Sequence, residues 1–184
     1  DAGQRIFGEN KIQEMADKHE EMPKDIQWHM IGHVQRNKVK YMAPFVSLIH
    51  GVESFKLLKE INKQALKHDR IIDCLLQIKI AEEDSKFGMS IPDATSLLKS
   101  EEFSALTNIN VIGVMGMATF TKDQNQIKQE FDLLKTTFDS LQTIHPSLKT
   151  ISMGMSGDYQ LAIKNGSNMV RIGSAIFGVR NYIV

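Results

Sequence analysis

The sequence has one cysteine, no basic tract and no long apolar run. With a single thiol, Cys74, no internal disulfide can form, which suits a reducing, cytoplasmic compartment. Cys74 lies in the apolar run 71–80, the setting of a small core residue. Lysine plus arginine number 22 and aspartate plus glutamate 22, so the formal net charge is zero. The densest basic cluster, Arg36-Asn37-Lys38-Val39-Lys40, is short, which argues against nucleic-acid binding by phosphate neutralisation. No stretch has the length and apolarity of a membrane span, and no signal-peptide pattern opens the chain, so a membrane partner is not expected. Low-complexity segments, repeat arrays and linkers are lacking too. The 184 residues suffice for one domain, 1–184, with a substantial core.

What is present is alternation. Short apolar strands are expected at 4–8, 26–31, 45–49, 71–80, 109–114, 151–155 and 169–172. Helical patterns fall between them, at 11–21, 35–42, from the Ser54 cap through Ala65, from Ser90 through Leu98, at 123–143 and at 159–164. Ser90-Ile91-Pro92-Asp93 reads as a capping-box-like start with proline in the first turn. The 123–143 helix carries Ile127, Phe131, Leu134, Phe138 and Leu141 on one face. Such alternation implies an all-parallel sheet with helices outside, either an open doubly wound sheet or a (β/α)8 barrel. Asp1-Ala2-Gly3-Gln4 reads as the end of a helix with its glycine cap, so a further βα unit is expected upstream of Asp1. Seven strands plus that one make eight, which favours the TIM barrel, with its first unit missing from this chain.

Barrel chemistry sits at the C-terminal ends of the strands. That rule places Glu9, Asn10, Gly32, His33, Ser85, Lys86, Met155, Ser156, Arg171, Gly173 and Ser174 around one mouth. The richest stretch is 150–178. Its first strand ends in Ser156-Gly157-Asp158, and Gly166 is expected in the left-handed conformation after the helix. Its second strand breaks at Gly173-Ser174. Two consecutive βα turns thus offer serine, glycine and free backbone N–H groups, which can hold a phosphate dianion. The same residues also serve as ordinary turn and N-cap chemistry. Arg171 sits in an otherwise apolar strand and needs a partner, because burying it unpaired is costly. It either ties down a strand end through carboxylates or carbonyls, or faces a ligand. His29 is expected to be packed, and His33 to hydrogen-bond a loop. Lys86, flanked by Glu82, Glu83 and Asp84, is expected to stay charged.

Five motifs occur in order along the whole chain. They are Phe7-Gly8-Glu9-Asn10, the run from Trp28 through Gly32-His33 to Lys38, Ser85-Lys86-Phe87-Gly88, Ser152-Met153-Gly154-Met155-Ser156, and Arg171-Ile172-Gly173-Ser174 through Gly178. Together they resemble the pyridoxal-phosphate homeostasis protein family, whose fold is similar to the barrel domain of alanine racemase. The resemblance implies an α/β TIM barrel of the alanine racemase N-domain type that binds pyridoxal 5′-phosphate (PLP). It implies a carrier rather than a catalyst, with transient apo-enzyme recipients as partners. It places the phosphate on Ser156, Gly173 and Ser174, the pyridine nitrogen against Arg171, the ring substituents beside Asn10, and Met155 along the wall. Asn10 equally suits the N-cap of the helix that follows it. The family's PLP-bearing lysine lies upstream of the first motif. No lysine here matches it, so no covalent link is carried over, and no catalytic residue or metal ligand is assigned.

The chemistry agrees with that implied role. A permanent cation beside the ring nitrogen disfavours its protonation and makes PLP a poor electron sink. Three or four charge-assisted hydrogen bonds at about 1.5 kcal/mol each give about 5 kcal/mol, a dissociation constant on the order of 0.1 mM without a covalent bond. Two other readings stay open. One is a PLP-dependent racemase, although alanine racemase draws a catalytic tyrosine from a second domain that has no counterpart here. The other is a barrel enzyme that uses the same cradle for a phosphorylated metabolite.

Overall fold

The computed structural model describes residues 2–82 and 87–178. Ser85 and Lys86 lie outside the described residues. Seven strands form one sheet in chain order: β1 (Ile6–Glu9), β2 (Gln27–Met30), β3 (Leu48–Val52), β4 (Ile72–Gln77), β5 (Ile109–Met115), β6 (Thr150–Met155) and β7 (Met169–Arg171). Every neighbouring pair is parallel. The helices are α1 (Ile12–Glu21), α2 (Val39–Met42), α3 (Phe55–Leu66), α4 (Ile91–Lys99), α5 (Glu101–Ser104), α6 (Gln124–Ile144), α7 (Tyr159–Lys164) and α8 (Ser174–Phe177). In a flat sheet, β3 and β6 would stand roughly 14 Å apart, three strand spacings. Instead His50 of β3 lies 2.9 Å from Ser152 of β6, so the sheet curls into a nearly closed barrel. Between β7 and β1, no strand lies among the described residues.

Alternation along the strands sorts the side chains into two layers. Trp28, Met30, Ile49, Cys74, Leu76, Val111, Val114, Ile151 and Met153 belong to a large apolar shell between sheet and helices. A smaller apolar cluster, Leu48, Leu75 and Met115 with Ile112, Met117 and Met169, comes from the other phase of the strands. All five residues of the stripe on α6 are buried in the outer shell. Each such side chain contributes roughly 1.5–3 kcal/mol on leaving water.

The local signals act as expected at several points. The Ser54 hydroxyl accepts from the Leu57 N–H and opens α3; the Ser90 hydroxyl accepts from the Asp93 N–H and opens α4. Gly166 takes φ +93° after α7. Other expectations need correction. The third strand is Leu48–Val52 and not 45–49, because Phe45 and Val46 close the helical turn before it by bonding back to the Met42 carbonyl. The 35–42 helix is a 3-10 turn at Arg36–Lys38 that runs into the four-residue α2. The 71–80 strand is trimmed to Ile72–Gln77, and Ile71 is 58% exposed. The short helix α5, capped by the Ser100 hydroxyl, was not anticipated.

Candidate functional site

The two late βα turns converge on one atom. The Ser156 hydroxyl, at the end of β6, accepts hydrogen bonds from the Gly173 and Ala175 N–H groups at 3.2 Å each. The Ser156 turn is held tight by Asp158, whose carboxylate accepts from the Met155 N–H at 2.6 Å. A methyl group added to Gly157 or Gly173 would meet nothing within 4 Å, so both turns face open space. Ser174 is exposed at the start of α8, and Met155 is partly buried behind Ser156. A cavity of about 390 Å³ borders the same turn, lined by Gln124, Ser156, Asp158, Tyr159 and Lys164 among others. It lies against α7 and the start of α6, and Arg171 and Gly173 are not among its walls.

Arg171 finds its partners in backbone and hydroxyl oxygens. Its Nη1 donates to the Ser152 carbonyl at 2.9 Å and to the Ser152 hydroxyl at 2.7 Å, and its Nη2 donates to the Gly116 carbonyl at 3.1 Å. The strand-end tie expected from sequence is therefore present, made by carbonyls. Loss of hydration lowers the Arg171 pKa to about 10, and Asp158 opposes the fall, so the group stays a cation at neutral pH. Three of the five guanidinium N–H groups are committed, and the other two have no hydrogen-bond partner among the described residues.

Behind Arg171 stands a polar chain that the sequence reading missed. The Ser152 hydroxyl lies 2.9 Å from His50 Nδ1, and His50 Nε2 lies 3.2 Å from His29 Nδ1. Ser152 is fully buried, and His50 and His29 are 1% and 8% exposed. Burial holds His29 down to about pKa 4 against the pull of Asp73, and burial together with Arg171 and His29 holds His50 well below its usual value. His50 lies beyond the expected 45–49 strand, and the structure puts it inside β3. The available signal was a polar residue two places along from an inner-cluster residue on the same strand, as in His50 after Leu48 and Gln77 after Leu75.

Other expected residues are placed differently. Asn10 is exposed at the end of β1 and does not cap α1, whose N-cap is Lys11 with no side-chain hydrogen bond. Its backbone packs against Gly32, where any side chain would collide with it. Glu9 turns its carboxylate to Lys18 of α1, in the helical layer. His33 Nδ1 lies 3.3 Å from a Glu53 carboxylate oxygen, and its ring stacks on Phe87 at 4.3 Å between centroids. No cluster of metal-binding side chains occurs among the described residues. Among the described residues, no helix is long and apolar enough to cross a membrane.

A parallel barrel whose last two βα turns meet beside an arginine tied to strand-end oxygens belongs to a known class. The chain is a member of the family defined by the alanine racemase N-terminal domain, whose model matches residues 1–181. Within that class it belongs to the pyridoxal phosphate homeostasis proteins. The one from Aquifex aeolicus is 35% identical over 98% of this chain and 79% of its own length, and the one from Mus musculus 37% over 98% and 70%. Among solved structures, PipY from Synechococcus elongatus is 31% identical and covers 96% of this chain and 83% of its own. It superposes with a TM-score of 0.90 without PLP and 0.86 with PLP bound.

Proposed function

We propose that this chain binds PLP in the barrel mouth and holds or delivers it in vitamin B6 homeostasis, without catalytic turnover. The observation that carries the reading is the meeting of the Ser156 hydroxyl with the Gly173 and Ala175 N–H groups, one strand away from a guanidinium with two uncommitted donors. The fit is chemical. An anionic tail meets the Ser156 O–H and can take over the Gly173 and Ala175 N–H groups that the Ser156 oxygen holds in its absence, beside glycines that leave room, and a ring nitrogen finds a cationic donor. Ser156, Gly173 and Ser174 hold the phosphate, Arg171 faces the pyridine nitrogen, Met155 lines the wall, and Asn10 lies beside the ring substituents.

Bound PLP supplies an aldehyde that reacts with primary amines and a ring that can draw electrons from the adduct. The residues of this chain restrain the second property. Arg171 is a permanent donor and cation, so it keeps the ring nitrogen an unprotonated acceptor and weakens the electron sink. That suits custody of PLP, with handover to apo-enzymes of the cytoplasm. Titration of the chain with PLP, followed by fluorescence quenching and by competition with inorganic phosphate, tests the ligand. Tighter binding of sugar phosphates than of PLP would remove it. Sustained racemisation of alanine by the PLP-loaded chain would remove the carrier role.

A further inference from the structure

We infer that His50 is a positioning residue for Arg171, acting through the Ser152 hydroxyl and steadied by His29, so that the guanidinium keeps one orientation and turns the same two N–H groups, unpartnered among the described residues, toward a ligand. The inference rests on the reading of Arg171 as the group that meets the ring nitrogen. It follows from counting donors and acceptors along the buried chain.

Arginine has donors only. Its Nη1 donates to both oxygens of Ser152, so the Ser152 hydroxyl is an acceptor toward Arg171. That hydroxyl has one proton to place, in a fully buried site, and its remaining partner is His50 Nδ1 at 2.9 Å. His50 Nδ1 therefore accepts, and the His50 proton sits on Nε2. This proton points at His29 Nδ1, 3.2 Å away, which accepts in turn. His29 thus also carries its proton on Nε2. Donation runs one way, from β7 through β6 and β3 to β2, and the cation at its head sets the direction. Reversing His50 would leave the Ser152 proton without an acceptor and, unless His29 reversed with it, would set two acceptor nitrogens against each other. A protonated His50 would direct a second donor at the Ser152 oxygen that Arg171 already uses. The chain also joins opposite walls of the barrel, because β3 and β6 are not neighbours in the sheet.

A merely structural polar cluster needs satisfied groups, whereas this proposal needs one direction of donation, and that difference is measurable. Nitrogen-15 NMR of the imidazoles in the unmodified chain at pH 7 reads both tautomers. The expected result is two neutral rings with the proton on Nε2. A His50 with its proton on Nδ1, or a His50 cation, overturns the inference. The binding arm uses Ser152→Ala, which cuts His50 from Arg171 but keeps the backbone carbonyl, and Ser152→Thr, which restores the hydroxyl. PLP affinity is expected to fall about tenfold in the alanine variant, the loss of one hydrogen bond to a charged group, and to recover in the threonine variant. Inorganic phosphate, which probes the Ser156 turn alone, is expected to bind both variants as it binds the unmodified chain. An alanine variant that holds PLP as well as the unmodified chain, or that loses phosphate and PLP alike, overturns the inference. If the unmodified chain binds no PLP, the reading of Arg171 as a ring partner falls, while the NMR tautomers still decide the direction of the relay.

Discussion

Ser156 and Gly173 belong to different βα turns, 17 residues apart, yet the hydroxyl of the first accepts the N–H of the second at 3.2 Å. The same oxygen takes the Ala175 N–H. One side chain thereby gathers two amides that an anion oxygen at this point would take over from the hydroxyl.

Ser156→Ala is therefore expected to weaken both PLP and inorganic phosphate, each by about tenfold, since a donor is lost and two amides lose their alignment. Stability should change by less than about 1 kcal/mol, because Gly173 and Ala175 are exposed and water replaces the missing acceptor. Isothermal titration and urea unfolding separate the two effects. Unchanged phosphate affinity would place the anion elsewhere.

Arg171→Lys tests the fork. A single ammonium cannot reach both oxygens of Ser152 and the Gly116 carbonyl in the directions the guanidinium uses. At least one carbonyl is left without a partner, which costs about 2–4 kcal/mol. The variant should show a lower urea midpoint even with no ligand present. An unchanged midpoint would mean that the three bonds contribute nothing net.

Much of this was legible in the sequence. The parallel alternation, the Ser54 and Ser90 caps, the stripe on α6 and the Ser156–Gly157–Asp158 turn all announce themselves through local chemistry. What stayed hidden depends on curvature. His50 and Ser152 are 102 residues apart and on non-adjacent strands, and only the curl of the sheet brings them together. The same holds for the Gly116 carbonyl that receives Arg171, since backbone acceptors leave no mark in a sequence. The start of β3 was misplaced because Phe45 and Val46 look like strand residues, while their backbone closes a helical turn.

Glu130 on α6 offers a test at the loops. Its carboxylate accepts from the Thr119 N–H and hydroxyl, each at 2.6 Å, and from the Glu82 N–H at 3.3 Å. It thus ties the segments after β4 and β5 to one helix, although it is 5% exposed. Glu130→Ala should cost about 2–4 kcal/mol, because it takes the acceptor from the Thr119 N–H and hydroxyl, the Glu82 N–H and the Gln126 side-chain amide. Hydrogen exchange at the Thr119 amide should speed up well beyond the change in global stability, as expected for a local opening. Exchange that follows global unfolding alone would show that Glu130 acts on the whole fold and has no special hold on these loops.

The buried histidines make stability depend on pH in a definite direction. His29 has a pKa of about 4 in the folded chain against an ordinary value of 6.5, and burial lowers His50 as well. Above pH 6.5 both rings are neutral in either state, and their contribution is fully present. Between 6.5 and about 4 the unfolded chain takes up a proton at His29 that the folded chain refuses, so stability falls as pH falls. Below about 4 the folded His29 also protonates and its share of the loss stops growing. Two and a half pKa units correspond to about 3 kcal/mol from His29, and His50 adds in the same sense. Urea midpoints measured from pH 7 to pH 5, above the range where most carboxylates titrate, should therefore drop steadily. His29→Gln should flatten the profile, because it removes one titrating ring and frees the other from a neighbour. Midpoints that hold constant over that interval would mean that the two rings take up protons in the folded chain as readily as in the unfolded one.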